Sequence, residues 1–271
     1  MYRKEIGQLP LYSFENLSAF QGLKHYVSTR KGGFSNEGTF GSLNLSYNSG
    51  DDRETVTANR KKLTHALGIP LSRLIVPRQM HTDTIALVNE EVLQTYVPNH
   101  SLEATDGLLT NLPGICLSVF SADCVPVLFY DPVKRVVAAV HAGWRGTVQL
   151  IAQKMIGQMQ LHFGCQASDI RVGIGPSICQ GVYQVGPEVI EEVRNALGTW
   201  EGLVNRVDQE GKGYLNLWEA NRLQLLQAGV LPEHIEVAEI CTFTQYQTFF
   251  SARKLGIRSG RFAAGVMLVN E

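Results

Sequence analysis

Between residues 115 and 140 the chain carries three apolar runs rich in β-branched residues, at 115–120, 125–130 and 135–140, with only short connections between them. Those runs predict adjacent strands at the centre of the fold. Further strand-like runs lie at 74–76, 84–88, 170–174, 235–240 and 262–269. Helical signals are interspersed. One starts near Arg53, with Asp51 or Asp52 as cap, and stops at Gly68-Ile69-Pro70. A second covers 147–162, where Leu150, Ile151, Met155, Met159 and Leu161 recur at near-helical spacing before Gly164. Others are expected at 187–197 and at 217–228, the latter closed by Gly229. Helices mixed with strands that adjoin one another predict an α+β layered sandwich rather than a regular βαβ alternation.

The 271 residues, 44% hydrophobic, are enough for a substantial core, and no repeat, low-complexity tract or block of like charge marks a linker. A single domain over 1–271 is therefore expected. The 24 basic and 25 acidic residues leave a formal charge of −1, which offers no electrostatic footprint for nucleic acid or a phospholipid surface, although a small anion is admissible. The N-terminal MYRKEIGQLPLYSFENL lacks a secretory apolar segment, and no run approaches the about 20 apolar residues that cross a bilayer. A cytoplasmic protein is the expectation. The five cysteines, at 116, 124, 165, 179 and 241, are odd in number and scattered, which argues against a disulfide framework. Glycine and asparagine punctuation makes 31–52 a long loop, a length that often carries function. Neither G-x-G-x-x-G nor G-x-x-x-x-G-K-[ST] occurs.

Three segments each put a good metal ligand beside a strand-like run: Arg78-Gln79-Met80-His81, Ser121-Ala122-Asp123-Cys124 and His141-Ala142-Gly143-Trp144-Arg145-Gly146. Two imidazoles and a thiolate suit zinc and leave a fourth position open, as catalytic sites require. The spacing is not that of a zinc finger, and spacing alone leaves other readings standing. His81 can be a hydrogen-bonded loop histidine, Cys124 a small buried hydrophobe, and His141 a strand-end side chain bonded to a carbonyl.

The strings QMH at 79–81, SADCVPVLFYDP at 121–132 and HAGWRGT at 141–147 resemble the signature of the multicopper polyphenol oxidase or laccase-domain family, also called the YfiH or YlmD family. The resemblance runs along nearly the whole chain, through GSLNLSYNSGDD, VTANRKKL, GIGPSICQGVYQVG, LNLWEANRLQLLQAGV, CTFTQYQTFFSARK and SGRFAAGVML. It implies a zinc-dependent enzyme acting on purine nucleosides, by phosphorolysis of adenosine, inosine and S-methyl-5′-thioadenosine and by deamination of adenosine, with His81, Cys124 and His141 as metal ligands. Copper is the alternative metal. The implied fold is an α/β/β/α sandwich, shared distantly with a toxin deamidase that uses a Cys-His pair. Two positions depart from the pattern. Met80 replaces a more usual valine, and Ala252 a common tyrosine.

Deamination needs water that is nucleophilic near neutral pH, which the metal supplies, and a proton for the departing ammonia. Asp123 is the nearest carboxylate in sequence, and it reads equally as an acceptor that orients His81 or His141. Phosphorolysis needs a cation for phosphate. Arg145, just before a predicted helix start, suits that role or a structural ion pair. Asn44, Arg60 and Gln79 are candidate nucleoside contacts, or else a turn asparagine, a solvated arginine and a glutamine bonded to backbone. Trp144 is a stacking candidate or a packing residue. Competing functions are an amidase on cytoplasmic muropeptide precursors, a copper oxidase and a zinc-stabilised binding protein. Seven histidines are few for several copper centres, and three strong ligands fall short of a closed structural site. No feature names a protein partner.

Overall fold

Side-chain parity along the central strands decides how the layers stack. In Val125–Asp131, Val125, Val127 and Phe129 join one buried cluster while Leu128 and Tyr130 join another. In Val136–Ala142 the split falls between Val136, Ala138, Val140 and Ala142 on one face and Val137 and Ala139 on the other. A strand apolar on both faces must be covered on both. The structure, a computed structural model, describes residues 1–36, 38–98 and 100–269.

Two six-stranded sheets supply the inner layers. The first runs Tyr2–Ile6, Leu9–Ser13, Leu23–Ser28, Phe262–Leu268, Cys116–Ser121, Leu74–Ile75. The second runs Ile235–Val237, Arg171–Ile174, Val125–Asp131, Val136–Ala142, Gly107–Thr110, Ile85–Leu87. Leu117, Val119, Phe262, Ala264 and Val266 of the first meet Leu108, Leu128, Val137 and Ala139 of the second in the central core. Helix Arg53–Leu67 covers the outer face of the first sheet through Leu63 and Leu67, helped by Leu43 and Leu45 of the long loop. Helices Ile151–Phe163, Pro187–Leu197 and Leu217–Gln227 cover the outer face of the second. The outcome is the expected α/β/β/α sandwich. A small sheet of Gln184–Val185, Gly213–Leu215 and Val204–Asn205 lies beside it.

The helix over Arg53–Leu67 starts where Asp52 accepts from the Thr55 N–H at 2.8 Å and stops at Gly68, whose φ of 74° only glycine adopts at ease. The helix expected over 147–162 is instead two, Trp144–Val148 and Ile151–Phe163, broken at Leu150 with φ 61°. The cause lies in tertiary hydrogen bonds that periodicity does not show. The Thr147 carbonyl accepts from the Leu150 N–H at 3.0 Å and from Gln224 Nε2 at 2.9 Å, and Asn221 Nδ2 donates to Thr147 Oγ1 at 3.0 Å, so the first helix ends in a tight turn. The run at 235–240 is a strand only over Ile235–Val237. Of the three N-terminal strands, none of which was anticipated, Tyr2–Ile6 is an edge strand with mostly exposed, polar side chains. No described helix is long and apolar enough to cross a membrane.

Candidate active site and metal centre

The chain passes from the first sheet to the second twice at one end of the sandwich. Residues 76–84 link Leu74–Ile75 to Ile85–Leu87, and residues 122–124 link Cys116–Ser121 to Val125–Asp131. These crossovers carry His81 and Cys124. His141 stands at the same end, because Val136–Ala142 runs antiparallel to Val125–Asp131 with Pro126 opposite His141 and Val125 opposite Ala142. Extending that register by one residue sets Cys124 across from Gly143.

The ligand atoms of His81, Cys124 and His141 all lie within 4.8 Å of one another, with Cys124 Sγ 3.9 Å from His81 Nε2. Among the described residues this is the one such group of three or more His, Cys, Asp or Glu. The donors fit a tetrahedral zinc with one position left for ligand. Gly143 makes room, since a Cβ there would sit 3.0 Å from Cys124 Sγ and 3.1 Å from His81 Cδ2. Burial pushes the Cys124 thiol up, but the His141 and His81 imidazoles outweigh it and hold the group at about 6. Burial lowers His141, and the Cys124 charge with Asp106 raises it to about 9. The cysteine therefore favours the thiolate, the form that binds metal.

Asp106 organises this centre, a role that was one of two sequence readings of Asp123. Its Oδ1 accepts from His141 Nδ1 at 2.8 Å, leaving His141 Nε2 for the metal, and its Oδ2 accepts from the backbone N–H of Met80 at 3.1 Å and of Thr82 at 2.8 Å. One fully buried carboxylate thus orients one ligand and fixes the loop on either side of another. Burial raises Asp106, and His141 with the two amides more than offsets it, so the group sits below the usual carboxylate range. Asp123 turns elsewhere. Its Oδ1 accepts from Thr242 Oγ1 at 2.6 Å and its Oδ2 from the Arg253 N–H at 2.6 Å, tying the C-terminal motifs to the Cys124 turn.

The centre opens into a cleft of about 560 Å³ whose walls include Arg60, Gln79, Phe120, Asp123, Tyr183 and Arg261. Arg60 and Gln79, the candidate nucleoside contacts, both line it. Arg60 is 3% exposed, not a solvated helix-face residue. Gln79 binds the strand end, donating to the Phe120 carbonyl and accepting from the Phe120 N–H, each at 2.8 Å. Asn44 is a correction. It is fully buried outside the cleft wall, donating to Ser49 Oγ at 2.7 Å and Asp51 Oδ2 at 2.9 Å and accepting from the Arg261 N–H at 2.9 Å. Its amide folds the loop and places Arg261. Arg145 is a second correction: it is exposed, with its guanidinium over the Trp144 ring, and does not line the cleft. Trp144 packs on the helical core. Ala252 lines the cleft, and Met80 is 54% exposed. Sequence reasoning missed Asp106, Tyr183 and Arg261. Tyr183 and Arg261 had a signal, in GIGPSICQGVYQVG and SGRFAAGVML, and Asp106 had none.

The profile of the family described as multi-copper polyphenol oxidoreductase laccase matches residues 24–269. The chain belongs to that family. A purine nucleoside phosphorylase of Bacteroides thetaiotaomicron is 38% identical over 95% of this chain and 96% of its own. Adenosine deaminase RL5, from an unknown prokaryotic organism, is 37% identical over 94% of this chain and 95% of its own. The crystal structure of YlmD from Geobacillus stearothermophilus superposes with a TM-score of 0.87 at 34% identity, covering 97% of this chain and 96% of that one.

Proposed function

We propose that the chain is a cytoplasmic, single-domain zinc enzyme of purine nucleosides. It cleaves adenosine, inosine and S-methyl-5′-thioadenosine with phosphate, giving free base and a ribose 1-phosphate or its 5-methylthio counterpart, and it deaminates adenosine. The observation that carries the reading is the convergence of His81, Cys124 and His141, oriented by Asp106, on a cleft large enough for a nucleoside. The names of the relatives, one set phosphorylases and one a deaminase, support both reactions.

Zinc held by His81, Cys124 and His141 would supply Lewis acidity toward water and a bound substrate. The chain's own residues do the remainder. Asp106 holds the His141 tautomer and the His81 loop. Asp123, which lines the cleft with both oxygens bonded to Thr242 and Arg253, remains the carboxylate assigned to carry a proton to departing ammonia. Gln79, pinned to Phe120, presents a rigid edge to the nucleoside.

The test is chromatography of adenosine incubated with the zinc-loaded protein, with and without phosphate. Phosphate-dependent adenine and phosphate-independent inosine are expected. No turnover in either arm, with release of the amino acid from a muropeptide precursor, would transfer the site to the amidase reading.

A further inference from the structure

Arg60 presents a physical problem that the reactions above leave unsolved. It lies on helix Arg53–Leu67, is 3% exposed and lines the same cleft as the metal centre. A charge removed from water needs a partner, and among the described residues no carboxylate lies within ion-pair distance of it. Its Nε donates to the Leu45 carbonyl at 2.8 Å. Its guanidinium lies against two rings, with Cζ 3.9 Å from the Tyr47 centroid and 4.9 Å from that of Phe120. Rings and a carbonyl orient the cation without neutralising it. Desolvation accordingly draws Arg60 down to about 10, and the leading charges that act back on it are the Tyr47, Tyr96 and Tyr26 phenols, not acids.

The other cleft arginines are answered differently. Arg261 spends its guanidinium on the Ser259, Gly260 and Ile257 carbonyls and has the charges of Cys124 and Asp123 nearby. Arg253 is exposed to solvent. The surroundings of Arg60 are built with equal care. Phe120 is held at both backbone polar groups by Gln79, and the Asn44–Asp51 network folds the loop that delivers Leu45, Tyr47 and the cleft-lining Ser46. Phe120 also leads directly through Ser121-Ala122-Asp123 to Cys124, which ties the two halves of the cleft together.

We propose that Arg60 is the anion subsite of the cleft and receives inorganic phosphate through a bidentate guanidinium contact, completing its missing charge. A planar fork held by the Leu45 carbonyl and two neighbouring rings matches a phosphate edge and loses little freedom on binding. The proposal deepens the phosphorolysis reading and rests on it for the identity of the anion. The site itself rests on the unpaired buried cation.

The experiment titrates inorganic phosphate into wild type and Arg60→Met of equal metal content, following thermal midpoint and calorimetric heat, and then measures KM for phosphate and for nucleoside. Loss of phosphate affinity by at least tenfold is expected, with the nucleoside KM changed less than threefold. Equal phosphate binding by a folded Arg60→Met overturns the proposal. Where Arg60→Met does not fold, Arg60→Lys decides, because loss of the fork is expected to weaken phosphate at least threefold and unchanged affinity overturns the assignment. Adenosine 5′-monophosphate is titrated in parallel. Arg60-dependent binding of the nucleotide without any of inorganic phosphate would give the subsite to a phosphate ester and overturn the proposal. If wild type binds phosphate through Arg60 yet releases no base, the phosphorolysis reading fails and the subsite stands. Base release with an unchanged phosphate KM in Arg60→Met gives the reverse.

Discussion

A single buried carboxylate does most of the ordering at the centre. Asp106 bonds the ring of one proposed ligand and the backbone on both sides of another. Asp106→Asn is expected to lower zinc affinity by about 10- to 100-fold, as loss of such an orienting partner generally does, measured by competition with a chromophoric chelator. Gly143→Ala tests the same geometry from the opposite side. Its φ of −68° suits any residue, but the new Cβ would crowd Cys124 Sγ and His81 Cδ2. Weaker zinc binding with little change in the unfolding midpoint of the metal-free protein is the expected outcome. The candidate ligands were legible in sequence because the strings around 79–81, 121–132 and 141–147 resemble the family signature, where position beside strand-like runs alone left other readings open. Asp106 was not, since its partners at 80, 82 and 141 meet only after the chain has crossed between sheets. Asp123, adjacent to Cys124 in sequence, turns its carboxylate to Thr242 and Arg253 instead.

Elements with local punctuation were the readable ones. Helix Arg53–Leu67 has an aspartate cap and a glycine stop, and Pro187–Leu197 begins at proline and ends before glycine. The break at Leu150 was hidden because Asn221 and Gln224, from a distant helix, capture Thr147. The N-terminal strands hold a pH-sensitive group that sequence gave no reason to notice. His25, 5% exposed, accepts from the Phe14 N–H through Nε2 at 2.9 Å, and burial together with Lys4 lowers it to about 4. Between that value and the free histidine's 6.5, the unfolded chain binds a proton that the folded one refuses. Stability must fall as pH drops through this window, by on the order of 1 kcal/mol per pH unit. His25→Gln keeps an acceptor near Nε2 and cannot titrate, so its unfolding midpoint is expected to vary less between pH 6.5 and 4 than that of wild type. An equal slope in both proteins would remove His25 from the account.

At the scale of the molecule, the central core between the sheets sets the position of the crossovers that carry His81 and Cys124. Phe262 is fully buried there, and Phe262→Ala should cost about 3–5 kcal/mol in urea unfolding. The layered α+β class was legible because adjoining apolar runs at 115–140 stand among interspersed helical signals, and the α/β/β/α order came from the family resemblance. That the cleft forms at one end was not, since it depends on both sheet-to-sheet passages leaving from the same edge. The measurement that tests the central claim most directly is metal content and adenosine turnover of wild type beside Cys124→Ala, each stripped and reloaded with zinc. The account predicts one zinc per wild-type chain, none held by the variant, and turnover lost while the metal-free unfolding midpoints agree. A variant that turns over adenosine at the wild-type rate would contradict it.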